Sequence, residues 1–346
     1  MPALSSHATT PDSASRASLD SRIYFGYKTA LQILRTVDVR TLAPARIATQ
    51  SLPDRGLCKR QIENAIGGTE SAYPGLSIER PAHVLVGSSS RCRASSAYKL
   101  HVCTSRLAGT SFYRLENDVC ISAPALAFIH QAAQRNDLIF LLQLGYELCG
   151  TYQSWLTGVP TRYQVKPLAS VRALRCYVSK NPSLKGARKA QHAIRYLADG
   201  SASPRETKQA IVFGLPMRYG GYGLGIPRMN YEVHANKAAR AISGKSSFRC
   251  DLCWPEHKLD VEYQSRECHE GEESRLADSR RTNALMAMGW TVVGITNDEL
   301  DSFAATETIA QTLRRHLGKR SQPRVSDYHA RKLKLRRQLG LSVGYE

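Results

Sequence analysis

Between residues 259 and 264 the chain alternates strictly. Leu259, Val261 and Tyr263 are apolar or aromatic, and Asp260, Glu262 and Gln264 are polar. Successive side chains of a strand point to opposite faces, so this pattern predicts a strand with one packed side and one polar side. A shorter strand precedes it across the Pro255-Glu256 turn and carries Asp251 beside Leu252 and Trp254. Folding the two strands together predicts Asp251 next to Glu262.

The same reading places other elements. Apolar residues at helical spacing (Tyr27, Ala30, Leu31, Leu34) predict a helix over 23–37, before a loop-rich stretch at 50–80. Short strand-like runs follow at 83–87, 99–103, 112–113 and 119–122, then helices over 124–135 and 136–149. Residues 168–197 read as helical and basic, with Arg172, Arg175, Lys180, Lys185, Arg188, Lys189 and Arg195. Ser203-Pro204 is a helix start, with proline at the first helical position. The glycine-rich run at 220–227 follows a helix rather than a strand, which disfavours a phosphate-cradling loop and favours a plain turn. A helix over 271–288, a strand over 289–296 and a helix over 300–317 complete this half. The expected order is helix, strand, strand, helix, strand, helix. The expected organisation is a disordered tail (1–20), a mixed α/β domain (21–165), a basic helical connector (166–200), a second α/β domain (201–317) and a basic tail (318–346).

Composition sharpens the picture. The 346 residues carry a formal net charge of +19, which favours a polyanionic partner. A hydrophobic content of 42% supplies real cores. No run approaches the roughly 18 apolar residues of a spanning helix, and no secretory signal is visible, so the expected location is the cytoplasm. The nine cysteines have no regular spacing, which fits a reducing compartment. Nothing in the sequence indicates an oligomer.

Asp251 and Glu262, with a polar residue at 264, offer oxygen ligands of the kind a hard cation such as Mg²⁺ or Mn²⁺ takes. Asp260 shares the Glu262 face and is an alternative ligand. The bland reading, solvated strand carboxylates, is disfavoured because Asp and Glu are poor strand formers and these are flanked by large apolar residues. Cys250 and Cys253, with Cys268 and His269 downstream, form a competing zinc set. Strand alternation predicts that Cys250 and Cys253 face opposite ways, which argues against it.

With these residues in place, 201–317 resembles the nucleases of the PD-(D/E)XK superfamily, in the branch similar to very-short-patch repair endonucleases. The resemblance rests on Asp251-Leu-Cys-Trp-Pro-Glu256, Leu259-Asp-Val-Glu-Tyr-Gln264, His269, Asp278-Ser-Arg-Arg281 and Gly289-Trp-Thr-Val292, with Ile295-Thr296 and Glu299-Leu300 beyond. It implies an α/β fold with a restriction-endonuclease-like αβββαβ core in the C-terminal half. It also implies that Asp251 is the metal-binding aspartate, that Glu262 is the acidic residue of the (D/E)XK triplet, and that Glu206 completes the metal site. Glu206 would also favour its helix N-terminus electrostatically. His269 and Arg281 match polar positions near the active site. Gln264 stands where the family's lysine is expected. Glutamine can orient a water but brings no charge. Residues 83–152 resemble a module of bacterial antitoxin-like regulators, on His83-Val-Leu-Val86, Lys99-Leu-His-Val102, Val119-Cys-Ile-Ser-Ala-Pro124 and Leu126-Ala-Phe-Ile-His130. That likeness implies an accessory or nucleic-acid-binding role.

The expectation is a bacterial, metal-dependent DNA endonuclease whose basic segments hold the backbone. The alternative is a non-catalytic DNA-binding regulator on a degenerate nuclease fold. A third reading is an anionic-surface binder using the basic tail.

Overall fold

The computed structural model describes residues 22–44, 52, 57–88, 95–264, 272–319 and 325–344. The expected disordered tail at 1–20 and His269 lie outside the described residues. The chain is mixed α/β and divides into two compact units, Met1–His130 and Gln131–Glu346. Among the described residues no helix is long and apolar enough to cross a membrane.

The first unit opens with β1 (Ile23–Phe25) and α1 (Tyr27–Thr36), where the sequence predicted one helix. Ile23, Tyr24 and Phe25 are all buried. They form the middle strand of the sheet, so both of their faces are covered, and strand pairing overrides the helical spacing. Gly26 breaks the run, because a Cβ there would lie 2.9 Å from Leu85 Cδ2. Then come α2 (Lys59–Ala72), β2 (Ala82–Val86), β3 (Tyr98–Val102), β4 (Phe112–Arg114), β5 (Val119–Ser122) and α3 (Pro124–Gln134). The sheet order is β3-β2-β1-β5-β4. β1 runs antiparallel to β2 and parallel to β5.

The second unit contains α4 (Leu138–Cys149), the small β6 (Tyr152–Gln153) and β7 (Arg162–Tyr163) pair, α5 (Val171–Lys180), α6 (Ala187–Ile194) and α7 (Pro204–Gly214). Its sheet is built from β8 (Arg228–His234), β9 (Ser247–Trp254) and β10 (Leu259–Gln264), with α8 (Lys237–Ser243) between the first two. α9 (Glu272–Ala287), β11 (Thr291–Thr296), α10 (Asn297–Asp301), α11 (Phe303–His316) and α12 (Tyr328–Leu339) follow. The sheet order is β11-β10-β9-β8. Strands β8, β9 and β10 are antiparallel neighbours, and β11 lies parallel to β10. β8 is absent from the order read from the residues.

The units meet at 130/131 and not near 165. Helix α4 is buried on nearly all sides, because it belongs to the second core. A Cβ at Gly145 would sit 2.4 Å from Leu197 Cδ1, and one at Gly150 would sit 2.5 Å from the Ser201 carbonyl oxygen. Tyr152 Oη pairs with Thr207 Oγ1 at 2.9 Å on α7. The basic segment is two amphipathic helices, α5 and α6, with Leu174, Tyr177, Ala190 and Ile194 inward and its arginines and lysines exposed.

The basic tail folds onto the same unit as α12. Lys332 Nζ donates to Glu307 Oε2, Arg336 Nη2 to the Leu300 carbonyl at 3.0 Å, and Tyr328 Oη to the Gly221 carbonyl at 2.9 Å. Gly220, at φ +89, lets this helix approach, since a Cβ there would be 2.2 Å from the Arg331 carbonyl oxygen. Lys332 and Arg336 are buried, so this part of the expected polyanion-facing tail instead bonds inside its own unit.

Candidate metal and phosphate site

The two strands of the sequence motif form a hairpin, with pairs Leu259–Trp254, Asp260–Cys253 and Val261–Leu252. One further step along an antiparallel ladder brings Glu262 level with Asp251. Asp251 Oδ2 accepts the Tyr263 backbone N–H at 2.9 Å, which fixes its carboxylate at the end of β10. Burial pushes the Asp251 carboxyl up to about 7, and the charges of Glu262 and Glu206 push the same way. These carboxylates therefore feel one another in a poorly solvated place.

Glu206 reaches this place from α7. Ser203 caps the helix, its Oγ accepting the Glu206 N–H at 3.1 Å. Glu206 Oε2 accepts the Ala202 N–H at 2.9 Å and Asn230 Nδ2 at 2.7 Å. The carboxyl is buried, and burial raises its pKa despite those bonds. The helix-start role and the site role thus coexist in one side chain.

Asn230 was not found from the sequence. It lies in β8 at φ 48, a left-handed conformation that asparagine tolerates better than most residues. β8 pairs with β9 at Met229–Leu252 and at Tyr231–Cys250, and the intervening Asn230–Asp251 pair is missing from the register. Asn230 Nδ2 turns to Glu206 and to the Gly200 carbonyl at 2.9 Å. The alternation of Met229, Tyr231 and Val233 was the available signal for this strand.

The core corrects the expected orientation of the cysteines. Cys250 and Cys253 both enter the core formed with Val233, Ala239, Phe248, Leu285 and Trp290. Strict alternation would separate them, yet both lie in this one core, while the β8–β9 register keeps the same offset on either side of 230/251.

Arg281, on α9, sits at the carboxylates. Its Nη2 donates to Glu262 Oε1 at 2.5 Å and to the Arg249 carbonyl at 2.5 Å, and lies 4.0 Å from Asp260 Oδ2. Gln264 is exposed at the end of β10 and lies over Gly294, where a Cβ would be 2.5 Å from Gln264 Nε2. A cleft of about 550 Å³ adjoins these groups and is lined by Asn230, Glu232, Lys245, Arg249 and Arg281, among others.

Among the described residues, one group of three metal-ligating side chains brings its ligand atoms within 4.8 Å of one another: Cys250, Asp260 and Glu262. The expected set of Asp251, Glu262 and Glu206 is not gathered so tightly. Each carboxylate is committed to its own partner: Asp251 to Tyr263 N–H, Glu262 to Arg281, and Glu206 to Asn230 and Ala202.

The first unit holds a separate aromatic cluster. Tyr27, at φ 53, stacks on His101 (3.8 Å between centroids), His130 (4.5 Å) and His83 (5.4 Å). His83 Nδ1 and His101 Nε2 are 2.8 Å apart. Burial lowers all three imidazoles, His101 to about 4 and His130 to about 3.

No family model matches the chain, and no solved structure matches it. It is similar to an uncharacterized protein of Mycobacterium tuberculosis, found in strains CDC 1551 and H37Rv. The identity is 28% over 139 residues, covering 38% of this chain and 46% of the relative. The chain thus matches about half the length of these curated relatives.

Proposed function

We propose that the second unit is a metal-dependent endonuclease that hydrolyses DNA phosphodiester bonds, on a core of the PD-(D/E)XK type. The observation that carries this reading is Asp251, whose carboxyl is pushed to about 7 by burial and by Glu262 and Glu206. Mutually repelling, poorly solvated carboxylates on adjacent strands and a nearby helix are a donor set suited to a divalent cation. The element order of α7, β8, β9, β10, α9 and β11, with the short α8 inserted between β8 and β9, supports it as well.

Asp251 and Glu262 would hold Mg²⁺ or Mn²⁺, with Glu206 in support. Such an ion, when bound, polarises the phosphate and acidifies a water. Gln264 would orient the attacking water through its amide. Arg281 brings to the end of β10 a positive charge that Gln264 lacks. Lys245 and Arg249 would take a neighbouring phosphate in the cleft. The exposed bases of α5 and α6 would hold the backbone without reading sequence. A DNA substrate fits an activity in the cytoplasm.

The test is nicking of supercoiled plasmid with Mg²⁺ or Mn²⁺ and with chelator, for the native chain and for Glu262→Ala. Metal-dependent nicking lost in the variant supports the reading. Equal nicking by both, or none, overturns it. A second reading, a non-catalytic DNA-binding regulator, is favoured by one observation: Glu262 is already engaged by Arg281. It predicts plasmid binding without cleavage, and binding unchanged by Glu262→Ala.

A further inference from the structure

We propose that Cys250, Asp260 and Glu262 bind a divalent transition-metal ion of the Zn²⁺ class, as a site distinct from the all-oxygen set of Asp251 and Glu206. Their ligand atoms lie within 4.8 Å of one another. Asp260 and Glu262 share a face of β10 because they are two residues apart. Cys250 shares a core with Cys253, the strand partner of Asp260, and its sulfur lies with the two carboxylates.

The second observation is Asp260 itself. It is 0% exposed, and neither of its carboxylate oxygens has a hydrogen bond of good geometry; its polar neighbours are the Cys250 thiol and the Glu262 carboxylate. A carboxylate buried without a donor is costly, and native proteins rarely carry one without a reason. Arg281 does not supply the answer. Its Nη2 is spent on Glu262 and on the Arg249 carbonyl, and stands 4.0 Å from Asp260. The cluster therefore brings one sulfur and two carboxylates together in a buried place.

The ligand set decides the metal class. Mg²⁺ and Ca²⁺ take oxygen ligands, whereas a thiolate selects zinc and its first-row neighbours. Cys250 is thus the residue that separates this site from an oxygen-only one. Glu262 belongs to both sets, so an ion here would draw Glu262 from Arg281.

The experiment uses the full chain and Co²⁺ as a spectroscopic stand-in for Zn²⁺. Native protein should develop a near-ultraviolet thiolate-to-cobalt charge-transfer band, and Zn²⁺ should bleach it. Cys250→Ser should abolish the band, Asp260→Asn should weaken Co²⁺ binding at least tenfold, and Cys253→Ser and Asp251→Asn should keep the band. No band in the native chain, or one that survives Cys250→Ser, overturns the proposal and assigns any bound cobalt to other cysteines. If Cys250→Ser fails to fold by circular dichroism, Asp260→Asn decides, and native-like binding by it also overturns the site. Because the readout is absorbance, failure of plasmid nicking leaves the result intact, and loss of the band leaves the nuclease reading intact.

Discussion

Arg281 ties helix α9 to strand β10 through Glu262, with Nη2 and Oε1 2.5 Å apart and side-chain exposures of only 19% and 15%. A pair this secluded behaves as a buried ion pair. Removing one partner leaves an uncompensated charge, so Arg281→Gln should destabilise the second unit by about 3 kcal/mol. Urea denaturation followed by tryptophan fluorescence would measure it. The double variant Arg281→Gln with Glu262→Gln should regain much of that loss, because no charge is then stranded.

Asp251 gives a pH dependence with a definite sign. Its folded-state carboxyl titrates at about 7, far above its ordinary value of 3.8, so the folded state holds the proton more tightly. The stability it contributes is present at low pH and is lost as pH rises towards and through 7. Asp251→Asn should therefore raise the melting temperature at pH 8 more than at pH 5 and, under the nuclease reading, remove plasmid nicking. Under the same reading, Mg²⁺ should stabilise the native chain at pH 8 and not the variant.

The imidazoles around Tyr27 work in the opposite direction. His83, His101 and His130 are held neutral by burial, with His101 at about 4 and His130 at about 3 against an ordinary 6.5. Their contribution is full above 6.5 and is lost as pH falls through the range down to those folded values. Thermal melts between pH 7 and pH 4 should show the first unit weakening. His130→Phe should flatten that dependence, since it keeps a stacked ring and removes a titrating group.

Gly294 leaves the space into which Gln264 lies. Gly294→Ala would bring a Cβ to 2.5 Å from Gln264 Nε2 in its present position, so the amide must swing away. The fold should survive, with a stability change under about 1 kcal/mol, because the displaced group is the end of a flexible side chain. Under the nuclease reading, cleavage should fall in Gly294→Ala by as much as in Gln264→Ala. The double variant should fall no further.

Helices α5 and α6 expose Arg172, Arg175, Arg188 and Lys189 on their solvent sides. If they contact phosphates, replacing Arg188 and Lys189 by glutamine should weaken binding of unrelated DNA sequences alike. The slope of log affinity against log salt should drop by about 2. Fluorescence anisotropy over a salt series would detect it.

The hairpin carrying Asp251 and Glu262 was legible because its residues alternate and its carboxylates break an apolar run. The helix carrying Glu206 was legible from Ser203-Pro204. What escaped was tertiary. Strict alternation put Cys250 and Cys253 on opposite faces, whereas both enter one core. Spacing on α9 gives the face of Arg281 but not that its guanidinium meets Glu262. The apolar run of α4 was assigned to the wrong unit because a buried helix carries no label for which core covers it. Lys332 and Arg336 were read as surface charge, although their long side chains reach carbonyls and Glu307 inside the second unit.

The docking of α12 against Gly220 and Leu300 bears on how the site can be handled in the laboratory. A fragment cut to 201–317, the span of the family resemblance, would strip the buried Leu335 and Leu339 of α12 from the unit. It would also leave the Leu300 carbonyl without the Arg336 donor, and would remove the Tyr152 hydroxyl from Thr207. The carboxylate cluster is therefore not a portable cassette. Grafts and domain fusions that respect only the motif boundaries should yield insoluble protein, whereas those that begin near 131 and keep α12 should carry the site intact.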